Sequence, residues 1–450
     1  MKVVIVGGGF GGLNAAIGLR SADCEVTLID RENYHLFQPL LYQVATGSLS
    51  PANICAPLRN VLRRQKNATV LQGDVVDFDF EQREIVLKDR RVPFDKLIVA
   101  AGMTHSYFGR NAWQQLAPGL KSISEATEIR ARVLSAFEQA EWEQDEVERR
   151  RLMTFVVVGG GPTGVELAGT LADLAHHTLA KEFRHIHPQT TRVVLVDAES
   201  HVLTQFPESL SVKAGEALEK LGVEVRTGLR VSDIDEAGVT LGDERIDAGT
   251  VLWAAGVTAS PLGEKLATAA GVETDRAGRT LVQPDLSLAG HPDVFVIGDL
   301  AHLEDEEGKL IPGVAPAAIQ EGKYVAKLIR KRLKGREVSP FRYRDLGSLA
   351  TIGRAEAVAR LGRLQFTGHL AWLLWLFIHL MQLVAFENRL LVLLQWTWSY
   401  ITRGRSARLI TTHPHRPKSA ASSEPRPTPR EHRPTRPIAS EPQLVQSQCE

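Results

Sequence analysis

The chain has 450 residues with 53 basic and 53 acidic side chains, so its formal charge is zero, and 44% of it is hydrophobic. That length allows roughly two to four domains with a sizeable core. Balanced charge argues against nucleic-acid binding through a strongly basic surface. Three cysteines (Cys24, Cys55, Cys449) are too few and scattered for a disulfide framework or a four-ligand zinc site, and no set of ~20-residue apolar runs suggests a multi-span transporter.

The first element is the apolar run Val3–Val6. It reads as a buried strand rather than a secretory signal, so the mature protein is expected to start at or near Met1, in a reducing compartment. Gly7, Gly9 and Gly12 follow. Such glycines permit a tight turn, close backbone approach to a pyrophosphate and helix–strand packing. The diphosphate then rests on helix N-terminal N–H groups. Asp30 closes the run Val26–Ile29, 18 residues after Gly12, where a carboxylate should grip a ribose hydroxyl pair. A charged stretch from a predicted N-cap at Ser124 to Arg151 carries Ile129, Val133, Phe137 and Ala140 at helical spacing, and reads as a solvated connector helix.

The pattern then repeats. Gly159, Gly161 and Gly164 follow Phe155–Val158, 152 residues beyond the first finger. Leu97–Gly102 is echoed by Val251–Gly256 at an offset of 154. Two motif pairs with nearly equal offsets indicate two units of one βα design. The second ribose acid is Asp197, followed by Ala198 with no adjacent arginine for a 2′-phosphate, which favours NAD over NADP. His176, His177, His185 and His187 lie in the long stretch between Gly164 and Asp197; they read as helix and loop histidines rather than a metal cluster. Two dinucleotide sites in one chain suggest a resident flavin and a visiting nicotinamide, with hydride passing between stacked rings.

The two fingers, Glu166 and the run Val294–Asp299 together resemble the two-dinucleotide-binding flavoprotein fold. The segments Tyr34–Gly47 and Pro312–Gly322 are similar to those of type II NADH dehydrogenases, single-subunit NADH:quinone oxidoreductases, and the likeness covers about residues 1–410. The resemblance implies an α/β fold with two Rossmann-like, glutathione-reductase-like domains and a C-terminal amphipathic membrane-anchoring helical module. FAD would bind residues 1–120 with 285–340, NADH residues 121–284, and the module would span 341–410. Gly7, Gly9, Phe10, Gly11, Gly12, Asp30, Gln43, Ala101, Gly102, Gly298 and Asp299 are then expected to contact FAD. Gly161, Pro162, Thr163, Gly164, Asp197, Ala255 and Gly256 would line the NADH side. Glu166, in the first turn of the second nucleotide helix, would relay protons or position nicotinamide, and Gln320 would lie beside the isoalloxazine. Many relatives carry Gln where Pro316 stands; proline suits a helix's first turn but makes no amide contact to a quinone, which leaves that task to Gln320. Without a cysteine pair, electrons must leave the flavin directly.

After residue 340 four of the seven tryptophans fall between Trp372 and Trp398. Leu370–Phe386 puts Trp372, Trp375, His379, Gln382 and Phe386 on one helical stripe and Leu373, Leu376, Leu380 and Val384 on the opposite one. This fits a helix lying in a membrane interface better than a buried pair or a span. Leu390–Ile401 adds Trp396, Trp398 and Tyr400, and Arg403, Arg405 and Arg408 follow as cations for anionic headgroups. Residues 411–450, with eight prolines and no glycine or aromatic ring, are expected to be disordered. The expected enzyme is a non-pumping NADH:quinone oxidoreductase on the cytoplasmic face of the inner (plasma) membrane. Its partners are a membrane quinone, the bilayer surface and a possible second copy in a homodimer, with no nucleic acid and no metal. The competing readings are a soluble reductase of a small electron-carrier protein and a non-enzymatic NAD(H)-sensing membrane scaffold.

Overall fold

The computed structural model describes residues 1–384 and 386–411. The tail expected to be disordered, apart from Thr411, lies outside them, as does Cys449.

In chain order the first segment contains β1 (Lys2–Val6), α1 (Phe10–Gly18), β2 (Glu25–Asp30), α2 (Leu41–Ala45), β3 (Ala68–Gln72) and β4 (Lys96–Val99). Then come α3 (Ile123–Trp142), β5 (Thr154–Val158), α4 (Pro162–Asp173), β6 (Arg192–Val196), β7 (Val223–Arg226) and β8 (Thr250–Trp253). β9 (Ser287–Leu288), β10 (His291–Val296) and α5 (Ala315–Arg332) follow. The chain ends in β11 (Ser348–Gly353), β12 (Glu356–Leu361), β13 (Leu364–Thr367), α6 (Gly368–Gln382) and α7 (Phe386–Thr402).

β1, β5 and β6 read as nearly unbroken valine, isoleucine and leucine because parallel strands are covered on both faces. One sheet runs β9-β10-β4-β1-β2-β3, parallel except for β9; the other runs β7-β6-β5-β8, parallel throughout. The internal repeat is visible in register: Val6 pairs with Ile29 and Val99, Val158 with Val196 and Trp253. An antiparallel pair, Met103–His105 with Val257–Ala259, ties the two units together.

Two expectations are corrected here. The N-cap of α3 is Ser122, not Ser124: its hydroxyl accepts the Glu125 N–H and the Glu125 carboxylate accepts the Ser122 N–H, a reciprocal cap. Nor is α3 a solvated connector. Ile129, Val133, Phe137 and Ala140 are all buried and join the largest apolar cluster with Phe155 and Leu171. The charged residues cover only the opposite face.

Besides the expected helices, the C-terminal module carries the antiparallel sheet β11-β12-β13, which precedes them. β11 lies directly on α4. A Cβ at Gly169 would stand 1.7 Å from the Ile352 carbonyl oxygen, so only glycine lets helix and strand approach this closely. The apolar run Leu370–Phe386 is not one helix: α6 stops at Gln382 and Phe386 opens α7. The aromatic stripe of α6 turns toward the body, with Trp375 2% exposed, whereas Leu370, Phe377 and Met381 are 61%, 61% and 49% exposed. On α7, Leu394, Trp398 and Ile401 are likewise exposed. Among the described residues no helix is long and apolar enough to cross a membrane.

Arg405 and Arg408 are not offered to headgroups. Arg405 is buried against Asp173 at 2.6 Å and the Thr46 and Thr170 carbonyls, and Arg408 pairs with Glu182 at 2.6 Å. Both fasten the end of the module to the body; Arg403 stays exposed.

Candidate functional site

The first finger is shaped by its own backbone. A Cβ at Gly12 would lie 1.8 Å from the Gly7 carbonyl oxygen, and Gly7 itself holds φ +102°. α1 therefore starts at once, capped by the Gly9 backbone with no side-chain cap and no acid in its first turn. No atom stands within 4 Å of where a Gly9 Cβ would be. Open N–H groups and an unfilled cradle fit a diphosphate. Asp30 accepts the Gly8 N–H at 2.5 Å and the Glu32 N–H at 2.7 Å, which fixes its carboxylate beside the turn.

The second finger repeats this. α4 is capped by Gly161, has Pro162 in its first turn and no acid there, and nothing lies within 4 Å of a Cβ at Gly161. Asp197 accepts the Gly160 and Glu199 N–H groups. A Cβ at Gly159 would meet Ala254 and Ala255, as one at Gly7 would meet Ala100 and Ala101. Gly102 and Gly256 both take positive φ. Thr163 is exposed on the finger. Arg226, at the end of β7 beside Asp197, is engaged by Glu224 at 2.5 Å and Glu244 at 3.4 Å.

A third uncapped helix start meets the first finger. α5 begins with no side-chain cap, with Pro316 in its first turn as anticipated. Ala318 reaches both Gly11 and Gly298, and Asp299 lies against Gly313. Burial raises the Asp299 carboxyl, and the nearby Lys121 ammonium opposes that. Phe10 packs edge-to-face on His35 and Phe37.

Three expected residues take other positions. Gln320 is the sixth residue of α5, and its amide is spent on Arg344: Nε2 donates to the Arg344 carbonyl and Oε1 accepts the Arg344 N–H, both at 3.0 Å. It clamps the chain after α5 rather than presenting a free amide. Gln43 donates to the Tyr42 hydroxyl and accepts from the Trp396 indole at 2.7 Å, so its side chain joins α2 to α7. Glu166 is the fifth residue of α4, beyond the first turn. Desolvation holds its carboxyl well above the usual range, and the Thr351 backbone N–H of β11 opposes that only in part. Tyr42 lies close enough to feel its charge. Burial therefore favours the protonated form of Glu166, the form that can donate a proton.

Several site residues escaped the sequence reading. His35 is buried and faces the Gly8 carbonyl at 2.9 Å through Nδ1, which must then carry the hydrogen. Lys121, partly buried at the start of α3, faces Asp299. Glu321, next to Gln320, is 3% exposed and accepts the Gly298 N–H at 2.5 Å, fixing the positive-φ turn before Asp299. Only helical phase could have pointed to Glu321, and a charged residue on an apolar phase is ambiguous.

Burial pushes Glu321 up to about 7, with neighbouring Asp299 adding to the rise. The unfolded chain releases this proton near pH ~4.3. The stabilisation it brings is therefore present below that pH and lost as pH rises through about 7. Glu321→Gln keeps an acceptor for Gly298 without ionising. Its melting temperature is expected to change less between pH 6 and 8 than that of the wild type; parallel profiles would rule this linkage out.

The four histidines have protein partners or lie apart. His176 bridges the Leu221 and Thr191 carbonyls, His177 is 3.4 Å from Asp173, His185 pairs with Glu141 at 3.0 Å, and His187 caps a short turn. Burial pushes the Cys55 thiol up to about 12, far from a reactive thiolate.

The pyridine nucleotide-disulphide oxidoreductase family model matches residues 1–322, and an NDH2 C-terminal domain model matches residues 346–406. The chain is 48% identical over 422 residues to the type II NADH:quinone oxidoreductase Ndh of Mycobacterium tuberculosis, covering 91% of this chain and 90% of that one. It is 29% identical over 368 residues to a Staphylococcus aureus type II NADH:quinone oxidoreductase, covering 79% and 89%. The fold superimposes on NDH2 from Plasmodium falciparum, solved with NADH, at a TM-score of 0.82, with 21% identity and 91% and 99% coverage.

Proposed function

Because the chain belongs to the type II NADH:quinone oxidoreductase family, it is a flavoprotein that oxidises NADH with FAD and reduces a quinone without pumping protons, and we propose how its residues divide that work. Gly7, Gly9, Phe10, Gly11, Gly12, Asp30, Ala101, Gly102, Gly298 and Asp299 hold FAD, with Gln43 behind them on α2. Gly161, Pro162, Thr163, Gly164, Asp197, Ala255 and Gly256 hold NADH. Bound there, FAD would supply the two-electron acceptor for hydride from NADH and the donor to a quinone. Residues 1–120 with 285–340 form the FAD domain, 121–284 the NADH domain and 341–410 the membrane module.

The observation that supports this division best is the place of α4. Its N-terminus forms the second finger, and its middle carries Glu166 under β11 of the C-terminal module. One helix thus joins the nicotinamide seat to the module whose outer face is apolar. Glu166, whose carboxyl burial raises, delivers a proton on the quinone side. Gln320 acts through Arg344, shaping the roof over α5.

The exposed residues Leu370, Phe377, Met381, Leu394, Trp398 and Ile401 form the surface that meets the bilayer at its cytoplasmic face. Band-shift and mass measurements on detergent-solubilised enzyme decide between one copy and two.

The test is anaerobic. NADH should bleach the flavin absorbance of the purified protein, and a menaquinone or ubiquinone analogue should restore it. A colourless protein, or one whose bleached flavin ignores quinone, removes the reading. Recovery without detergent in the soluble fraction would remove the membrane part alone.

A further inference from the structure

The aromatic rings between the first finger and the C-terminal helices form a continuous series. Phe10 meets Phe37 at 5.8 Å between centroids, Phe37 meets His379 at 6.2 Å, His379 stacks on Trp375 at 4.4 Å, and Trp375 tilts against Trp396 at 5.6 Å. Trp396 in turn donates to Gln43. His379 therefore stands in the seam between the loop after β2 and the two module helices. On the quinone-reductase reading, this seam lies between the exposed apolar face of the module and the first finger, where a quinone and FAD would meet.

The chemistry of His379 is set by one contact. Its Nδ1 lies 2.7 Å from the Trp375 carbonyl oxygen. A carbonyl only accepts, so Nδ1 carries the hydrogen and Nε2 holds a lone pair. Among the described residues nothing pairs with Nε2. Burial also pushes the ring down to about 4, so it stays neutral throughout the working pH range. The neighbouring rings Phe37 and Trp375 face it with no carboxylate.

A quinone carbonyl also only accepts and gains nothing from a lone pair. Its two-electron-reduced product, a hydroquinone, carries two O–H donors. We propose that His379 is a specificity-determining residue whose Nε2 accepts a hydrogen bond from a hydroquinone hydroxyl, so that the quinone seam favours hydroquinones over quinones. In this tautomer His379 has no free N–H to offer a quinone carbonyl. The inference rests on the quinone-reductase reading above.

The experiment uses the FAD-loaded full-length enzyme with menadione as substrate and menadiol as product inhibitor, both under anaerobic conditions. His379→Phe keeps a ring between Phe37 and Trp375 but removes the acceptor. His379→Gln places an amide oxygen near the position of Nε2. The ratio of the menadiol inhibition constant to the menadione KM is expected to rise about tenfold in the phenylalanine variant, the effect of one lost hydrogen bond. It should return to the wild-type value in the glutamine variant. A ratio unchanged in the phenylalanine variant, or raised equally in both, overturns the assignment. A wild-type enzyme that reduces no menadione overturns the quinone-reductase reading instead. Should neither variant fold, anaerobic binding of menadiol and of its 1,4-dimethyl ether to the wild type decides: tighter binding of menadiol supports the assignment, and equal or weaker binding overturns it.

Discussion

A Gly12→Val enzyme is expected to be purified colourless and inactive. The new Cβ would stand 1.8 Å from the Gly7 carbonyl oxygen, a clash of Cβ with backbone that no rotamer change relieves. Overpacking costs roughly 1–3 kcal/mol even where side chains yield, and every ~1.4 kcal/mol taken from the finger weakens FAD binding about tenfold. Gly9→Ala separates folding from cofactor binding. Gly9 has φ −68° and ψ −163°, open to any residue, and no protein atom near its Cβ position. That variant should keep its circular dichroism and melting cooperativity while its flavin content falls, because the methyl group enters the space for the diphosphate. Full flavin occupancy in Gly9→Ala would mean that the first finger is not the seat.

The second large effect belongs to Glu166. Glu166→Gln preserves shape and hydrogen-bonding capacity but has no proton to give. Loss of a positioned acid typically costs about 10²–10⁴-fold, so quinone-dependent turnover should fall by that order. The fall should appear in the reoxidation of reduced enzyme by menadione in a stopped-flow experiment, with a much smaller change in bleaching by NADH. Equal losses in both halves would instead make Glu166 a nicotinamide-positioning residue. The pH dependence has a defined sign. Burial raises this carboxyl, and wild-type quinone reduction should decline on the alkaline side as it ionises. The decline should be absent from the slow residual activity of the glutamine variant.

The corrections share one cause. Ser124 and Ser122 are both reasonable caps by composition; the choice fell to Ser122 because Glu125 stands three residues on and closes the reciprocal pair. α3 reads as charged and therefore solvated, yet its apolar stripe faces a core built from residues as distant as Phe37 and Leu218, which local periodicity does not reveal. Arg405 and Arg408 look like headgroup cations in a basic terminal run. Their carboxylates, Asp173 and Glu182, lie more than 200 residues earlier.

What the sequence by itself determined is whatever short-range covalent geometry controls. Two glycine fingers, each following a valine-rich strand and each answered by an aspartate at the end of the next strand, define two nucleotide seats, because turn, helix start and carboxylate are all specified within some forty residues. Periodicity likewise showed that α6 has an aromatic and an aliphatic side. Only the tertiary structure decided which side met protein. It also decided that Gln320 would be consumed by Arg344, that β11 would strip Glu166 of water, and that Trp375 would hold His379 in one tautomer. Protonation and hydrogen-bond partnership depend on the dielectric and the groups within a few ångströms, and here those groups arrive from distant parts of the chain.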